Sequence, residues 1–276
     1  MSHFVIGMDG SAGAAAALRW ATRLASPVGA DLHLVNAYRR RFAEVPPDDL
    51  ERALADREQL LAEWARPAMD RGVTVHMRVE EGDPRKVLDG SEDDTDLVVL
   101  GRSGTGSDPG LFHIGSVVEH LAHHCATPLA VIQPYGTGQT ERIVLGVDGS
   151  PESNTAIRWC ARYAGALDAH VQAVHVNEWA NRRPATPEER RVFEDPILEW
   201  IEPLRAAGVE AAPLALEDLH PADALVGIAS RHRTSLLVIG TRGVGGFTGL
   251  RIGGVAMKVL HRATTDLVIV PPFDAE

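Results

Sequence analysis

Two stretches of this chain combine glycines at a spacing that suits phosphate. The first is Gly101-Arg102-Ser103-Gly104, then ten residues, then Gly115-Ser116-Val117. The second is Gly240-Thr241-Arg242-Gly243, then nine residues, then Gly253-Gly254-Val255. Glycine lets a backbone approach a ligand closely. Each stretch feeds a segment of helical pattern, and the first N–H groups of a helix lack internal partners and carry partial positive charge. Arg102 and Arg242 add guanidinium groups able to pair with phosphate oxygens. Upstream lie Asp9-Gly10-Ser11 and Asp148-Gly149-Ser150, each a turn and helix N-cap signal after a short apolar run. Asp9 and Asp148 could each hold Mg²⁺ together with phosphates, but one carboxylate per site is thin for catalysis. Lysine occurs only at Lys86 and Lys258, and neither follows a glycine, which excludes a P-loop. No nucleophile elbow, zinc-protease motif or dinucleotide Gly-x-Gly-x-x-Gly occurs either.

The two stretches belong to an internal repeat. At a constant offset of 139, Gly7, Asp9, Gly10, Ser11, Arg19 and Trp20 meet Gly146, Asp148, Gly149, Ser150, Arg158 and Trp159. Glu63-Trp64 meets Glu199-Trp200, Pro84 meets Pro221, and Gly101 and Gly104 meet Gly240 and Gly243. The chain therefore reads as two tandem domains, 1–138 and 139–276, joined around the turn-rich Pro134–Gly138. Within each copy, short apolar runs alternate with helical stretches. Residues 4–8, 32–37, 73–79, 97–100 and 129–132 read as strands; 14–24, 48–71, a segment opened by Pro84, and 117–124 read as helices. The continuous apolar run Leu97-Val98-Val99-Leu100 suits a parallel strand buried on both faces. Alternating βα units predict an α/β fold with one doubly wound parallel sheet per copy. Ligands of such sheets sit outside the carboxyl ends of the strands, where the glycine loops and the Asp-Gly-Ser turns fall.

The 276 residues have ordinary globular composition, 45% apolar and 24% charged, which excludes a disordered chain. A net charge of −11 argues against nucleic acid as a partner. The chain has no apolar run of 18 residues and no leader-like basic and apolar start, which predicts a cytoplasmic protein with no membrane partner. Two cysteines, Cys125 and Cys160, make no disulfide framework. His120, His123 and His124 cluster on one helix, but His120 and His124 match Lys258 and Arg262, so a solvated face is the preferred reading and no metal ligands are assigned. Cys160 matches Ala21, a small buried helix position.

These motifs resemble the universal stress proteins in their tandem-domain form, over essentially the whole chain. The specific part is Gly-x2-Gly-x9-Gly-Ser/Thr together with the Asp after the first strand. The resemblance implies five-stranded sheets of order 3-2-1-4-5, ATP as ligand, pairing of the two copies within the chain, and a homodimer as a further option. It implies that Asp9 and Asp148 meet the ribose edge and that their neighbours, Gly7, Gly10 and Ser11 in one copy and Gly146, Gly149 and Ser150 in the other, line the adenosine. Ala37 and Val176 would meet adenine through backbone atoms. Gly101, Arg102, Gly104, Gly115, Ser116 and Val117 would surround the phosphates of copy one; Gly240, Arg242, Gly243, Gly253, Gly254 and Val255 would do so in copy two. Copy one carries one extra spacer residue and Asp108 in the loop; copy two keeps nine spacers but has Gly254 where the family has Ser or Thr. Loop spacing alone ranks copy two as the tighter ATP site. The function expected is an ATP-binding stress or signalling module rather than an enzyme. A slow ATPase or phosphotransferase and a nucleotide-free interaction scaffold are the alternatives.

Overall fold

The computed structural model describes residues 2–39, 47–89, 95–105, 114–124, 126–136, 139–177, 187–218, 220–232, 235–243 and 252–272. The chain divides into two compact units, Met1–Gly138 and Gln139–Glu276. In unit one the elements run β1 (His3–Gly7), α1 (Ala12–Val28), β2 (Asp31–Tyr38), α2 (Pro47–Met69), β3 (Val75–Glu81), α3 (Pro84–Val87), β4 (Thr95–Gly101), α4 (Ser116–His124) and β5 (Leu129–Ile132). Unit two repeats this: β6 (Arg142–Gly146), α5 (Pro151–Tyr163), β7 (His170–Asn177), α6 (Pro187–Trp200), α7 (Glu202–Ala206), β8 (Ala211–Glu217), α8 (Pro221–Ala229), β9 (Ser235–Gly240), α9 (Gly254–Arg262) and β10 (Asp266–Val270).

Within unit one the strands lie in the order β3-β2-β1-β4-β5, and every pairing is parallel. Within unit two the corresponding order is β8-β7-β6-β9-β10, again all parallel. Each unit is thus a doubly wound five-stranded sheet of order 3-2-1-4-5 in its own strands. The chain reverses direction across the sheet between the first and fourth strands, so β1 and β4, or β6 and β9, flank the switch point. Leu97–Leu100 and Leu236–Ile239 are buried at these central positions, as continuous apolar runs require. The outer strand β3 is largely exposed.

Helix starts follow their caps. Ser11 Oγ accepts the Ala14 N–H at 3.0 Å, and Ser150 Oγ accepts the Ser153 N–H at 3.1 Å. The helix α1 runs past Leu24, through Pro27, and stops at Gly29, whose φ of 65° is left-handed. Trp20 and Trp159 are buried in matched positions.

Cys160 is wholly buried, as is Ala21 at the matching position. Burial pushes the Cys160 thiol far above its ordinary range, so almost no thiolate forms near neutral pH. Cys125 lies outside the described residues. A Cys125→Ser chain should therefore resist a thiol-specific reagent until denaturant is added. Labelling of the native chain at the rate of a free cysteine would contradict this packing.

Candidate functional site

Where β1 and β4 of unit one end, the chain encloses a cleft of about 600 Å³. Three segments build its polar wall. The first is the turn after β1. Asp9 Oδ1 accepts the Ser11 N–H at 3.0 Å, and Asp9 Oδ2 accepts the Thr105 N–H at 2.9 Å. One carboxylate thereby ties the turn after β1 to the loop after β4. The second segment is that loop, Gly101 to Thr105. A Cβ on Gly104 would collide with Asp9 Oδ2, so the residue must be small for the clamp to close. The third is the start of α4. Gly115 donates its N–H to the Arg102 carbonyl at 2.8 Å, and the first helical bond runs from Glu119 N to Gly115 O. The N–H groups of Ser116, Val117 and Val118 therefore have no intrahelical acceptor, and all three residues line the cleft.

The apolar wall comes from Met8, Val35, Ala37, Pro84, Leu88, Leu100 and Ile114. Pro84 and Leu88 are held by Asp83, which caps α3 by accepting the Arg85 N–H at 3.1 Å. The guanidinium groups of Arg85 and Arg39 lie against the Asp83 carboxylate and hold it well below the usual carboxylate range.

Of the residues expected from the sequence, Gly7, Asp9, Ser11, Ala37, Gly101, Gly104, Gly115, Ser116 and Val117 all line the cleft. Gly10 and Arg102 do not. Gly10 adopts φ 87° and sits over the Trp64 ring, with a Cβ there 3.2 Å from the nearest ring carbon. It shapes the turn rather than touching the cleft. Arg102 is 3% exposed, and desolvation lowers its guanidinium pKa. Its backbone carries the local structure, donating to the Ile132 carbonyl at 2.9 Å and accepting from Gly115. Ser103 and Thr105 take the wall positions instead. The long spacer between the glycines, residues 106–113 with Asp108, lies outside the described residues, as do 244–251 in unit two.

Unit two repeats the frame. Asp148 Oδ1 accepts the Ser150 N–H at 3.0 Å, and a Cβ on Gly243 would collide with Asp148 Oδ2. Gly253 donates to the Thr241 carbonyl at 2.7 Å, as Gly115 does to Arg102. Gly149 has φ 77° and packs on Trp200, as Gly10 does on Trp64. Gly146 ends β6 against Ile239 and Leu225, Val176 lies near the end of β7, and Gly254 and Val255 open α9. Arg242 differs from expectation: its Nε and Nη2 donate to Glu152 Oε1 at 2.8 and 2.7 Å.

Two residues not singled out from the sequence fix the turn carbonyls. Asn36 Nδ2 donates to the Met8 carbonyl, and Arg57 Nη1 donates to Asn36 Oδ1 at 2.7 Å. At the matching position, His175 Nδ1 lies 2.8 Å from the Val147 carbonyl. A carbonyl only accepts, so Nδ1 is the donor in this contact. The repeat holds the clue, since positions 36 and 175 correspond, but an amide and an imidazole share no identity.

The histidines of α4 form a contact of their own: the rings of His120 and His124 stack at 4.2 Å, and His124 Nδ1 donates to the His120 carbonyl at 2.8 Å. Among the described residues, no group of three or more His, Cys, Asp or Glu is arranged to hold a metal ion. No helix there is long and apolar enough to cross a membrane.

Fold and cleft together define a class: a tandem of doubly wound α/β domains, with a glycine-walled cleft at the switch point of unit one. The model of the universal stress protein family matches residues 1–133 and again 139–271, and the chain belongs to that family. A universal stress protein of Mycolicibacterium smegmatis is 26% identical over 295 residues, covering 97% of this chain and 96% of the relative. Universal stress protein Rv2623 of Mycobacterium tuberculosis is 29% identical over 287 residues, covering 96% and 95%. The fold is shared with the crystal structure of a universal stress protein from Archaeoglobus fulgidus, with a TM-score of 0.75 at 15% identity and 98% of each chain covered.

Proposed function

We propose that this protein is a cytoplasmic ATP-binding module of the stress response, that residues 1–138 and 139–276 are its two universal stress protein domains, and that the cleft of unit one is its nucleotide site. The observation that carries the reading is the clamp of Asp9 across Ser11 and Thr105, which holds the glycine loop beside the open N–H groups of α4. A cleft of about 600 Å³ is within the size range of small-molecule sites. Its two walls match the two halves of a nucleotide. The apolar wall around Val35, Ala37 and Leu88 suits the base. The glycine loop and the start of α4 suit the phosphates, because backbone N–H groups and the helix dipole favour anions there. Asp9 spends two hydrogen bonds on backbone and keeps acceptor capacity for ribose hydroxyls. Any Mg²⁺ would arrive as the complex of ATP; Asp9 and Glu119 are the acidic residues that line the cleft.

Calorimetric titration with ATP tests the reading. Asp9→Ala removes two hydrogen bonds to a charged group, which are worth about 1.5–3 kcal/mol each. ATP affinity should fall at least about tenfold, that being ~1.4 kcal/mol. Full-strength binding by the Asp9→Ala chain would remove the cleft from consideration. Release of inorganic phosphate dependent on Asp9 would move the assignment to a slow ATPase. No binding of ATP, AMP or adenosine would leave an interaction scaffold.

A further inference from the structure

The two units share one frame, but at one matched position they differ in charge. Gly13 of unit one corresponds to Glu152 of unit two, and Ser103 corresponds to Arg242. In unit one, α1 meets the end of β4 backbone to backbone. A Cβ on Gly13 would lie 2.7 Å from the Ser103 carbonyl oxygen. In unit two the same junction holds an ion pair. Glu152 is 8% exposed, stands in the first turn of α5, and takes both Nε and Nη2 of Arg242 on Oε1. Arg242 is the one basic side chain of the loop Gly240–Gly243. The cation that a phosphate would seek there already has an anion.

The charged groups around the two loops are placed differently. The glycine loop of unit one has Asp9 beside it, and Glu119 lines the same cleft from the first turn of α4. The loop of unit two has Asp148 beside it and Glu152 behind it, against the single charge of Arg242. Ser103, the counterpart of Arg242, lines the cleft of unit one, so a polyphosphate held the same way in unit two would meet Arg242 and the carboxylate paired with it. A like charge in a partly desolvated site costs far more than the same charge in water.

We propose that Glu152 is a specificity-determining residue, and that the Glu152–Arg242 pair closes unit two to polyphosphates. The chain then binds one ATP, in unit one. This inverts the order that loop spacing alone suggests, and it rests on the reading of unit one as the nucleotide site.

The test counts ATP per chain by calorimetry and equilibrium dialysis on the full-length protein. The parent should bind one. Glu152→Gln keeps the side-chain volume and removes the negative charge beside Arg242, so the count should rise to two, with unit-one affinity unchanged. The double variant Glu152→Gln/Arg242→Ser gives unit two the uncharged junction of unit one and should also bind two. Urea unfolding of each variant establishes that unit two is folded. Two ATP bound by the parent, or one bound by a folded Glu152→Gln chain, overturns the proposal while leaving unit one as a nucleotide site. Loss of the second site in a folded double variant also overturns it. No ATP bound by the parent or any variant removes the nucleotide reading itself, and this proposal with it.

Discussion

Gly104→Val should bind ATP at least about 100-fold more weakly than the parent, with its fold intact. A Cβ at position 104 would overlap Asp9 Oδ2. The atom it meets ends a short, rotatable side chain, so the carboxylate yields and the backbone stays. When the carboxylate swings away, it leaves the Ser11 and Thr105 N–H groups. Two hydrogen bonds to a charged acceptor are lost from a wall that has to be preorganised, at about 1.5–3 kcal/mol each. Loss of ~2.7 kcal/mol corresponds to the 100-fold expected. Valine also adds bulk where phosphate must approach backbone. Calorimetry gives the affinity, and the urea midpoint and circular dichroism establish that the fold is kept. Gly104→Ala carries the same Cβ without the extra methyls and should show a smaller part of the loss. Parent-like affinity in the valine chain would mean that the clamp does not shape the site.

Gly101→Ala should behave in the opposite way, losing stability rather than affinity alone. Its Cβ would lie 2.6 Å from Gly13 Cα and 2.8 Å from Ala14 N. These are backbone atoms of α1, a helix whose Ala14, Ala16, Ala17, Leu18 and Trp20 are packed in the core. No rotamer relieves the overlap; the helix must move off β4. Overpacking in a well-packed core typically costs 1–3 kcal/mol, and more where backbone must shift, so a loss of about 3 kcal/mol from unit one is expected. Because the chain has two compact units, urea unfolding should be fitted with a separate transition for each. The change should fall on one transition. Gly115→Ala is the control: its nearest neighbours to a Cβ are at 3.5 Å or beyond, an ordinary contact. Equal loss in both variants would show that the Gly13–Gly101 approach is not special.

The architecture was legible because the repeat supplies its own comparison. Two copies of Asp-Gly-Ser after an apolar run, and two glycine loops after a second one, place the strand ends without any coordinates. Element bounds were less legible. The pattern suggests a helix from 14 to 24, yet α1 continues through Pro27 to Val28, because Gly29 supplies the left-handed stop. Pro84 and Pro221 both announce a helix, but α3 has four residues and α8 has nine. Most of the wall of unit one could be named in advance, since glycine and aspartate carry their constraints in their own chemistry. Arg102 could not. An arginine in a glycine loop reads as a phosphate partner, and only its place behind the strand end shows it buried. The Glu152–Arg242 pair was hidden for a further reason. The two residues are 90 positions apart, each is ordinary alone, and the comparison between copies reads Glu against Gly as a plain mismatch.

Covalent duplication has a consequence for how such a molecule can diverge. In an assembly of identical subunits, any substitution appears at every site at once, so no site can be retuned alone. Here the codon for Glu152 is not the codon for Gly13, although both residues stand at the same place in the same frame. Each half can drift toward its own ligand preference, while the chain still delivers both halves in a fixed one-to-one ratio. One gene can therefore hold one half to its task while the other half varies. Inheritance, rather than assembly, guarantees that they stay together.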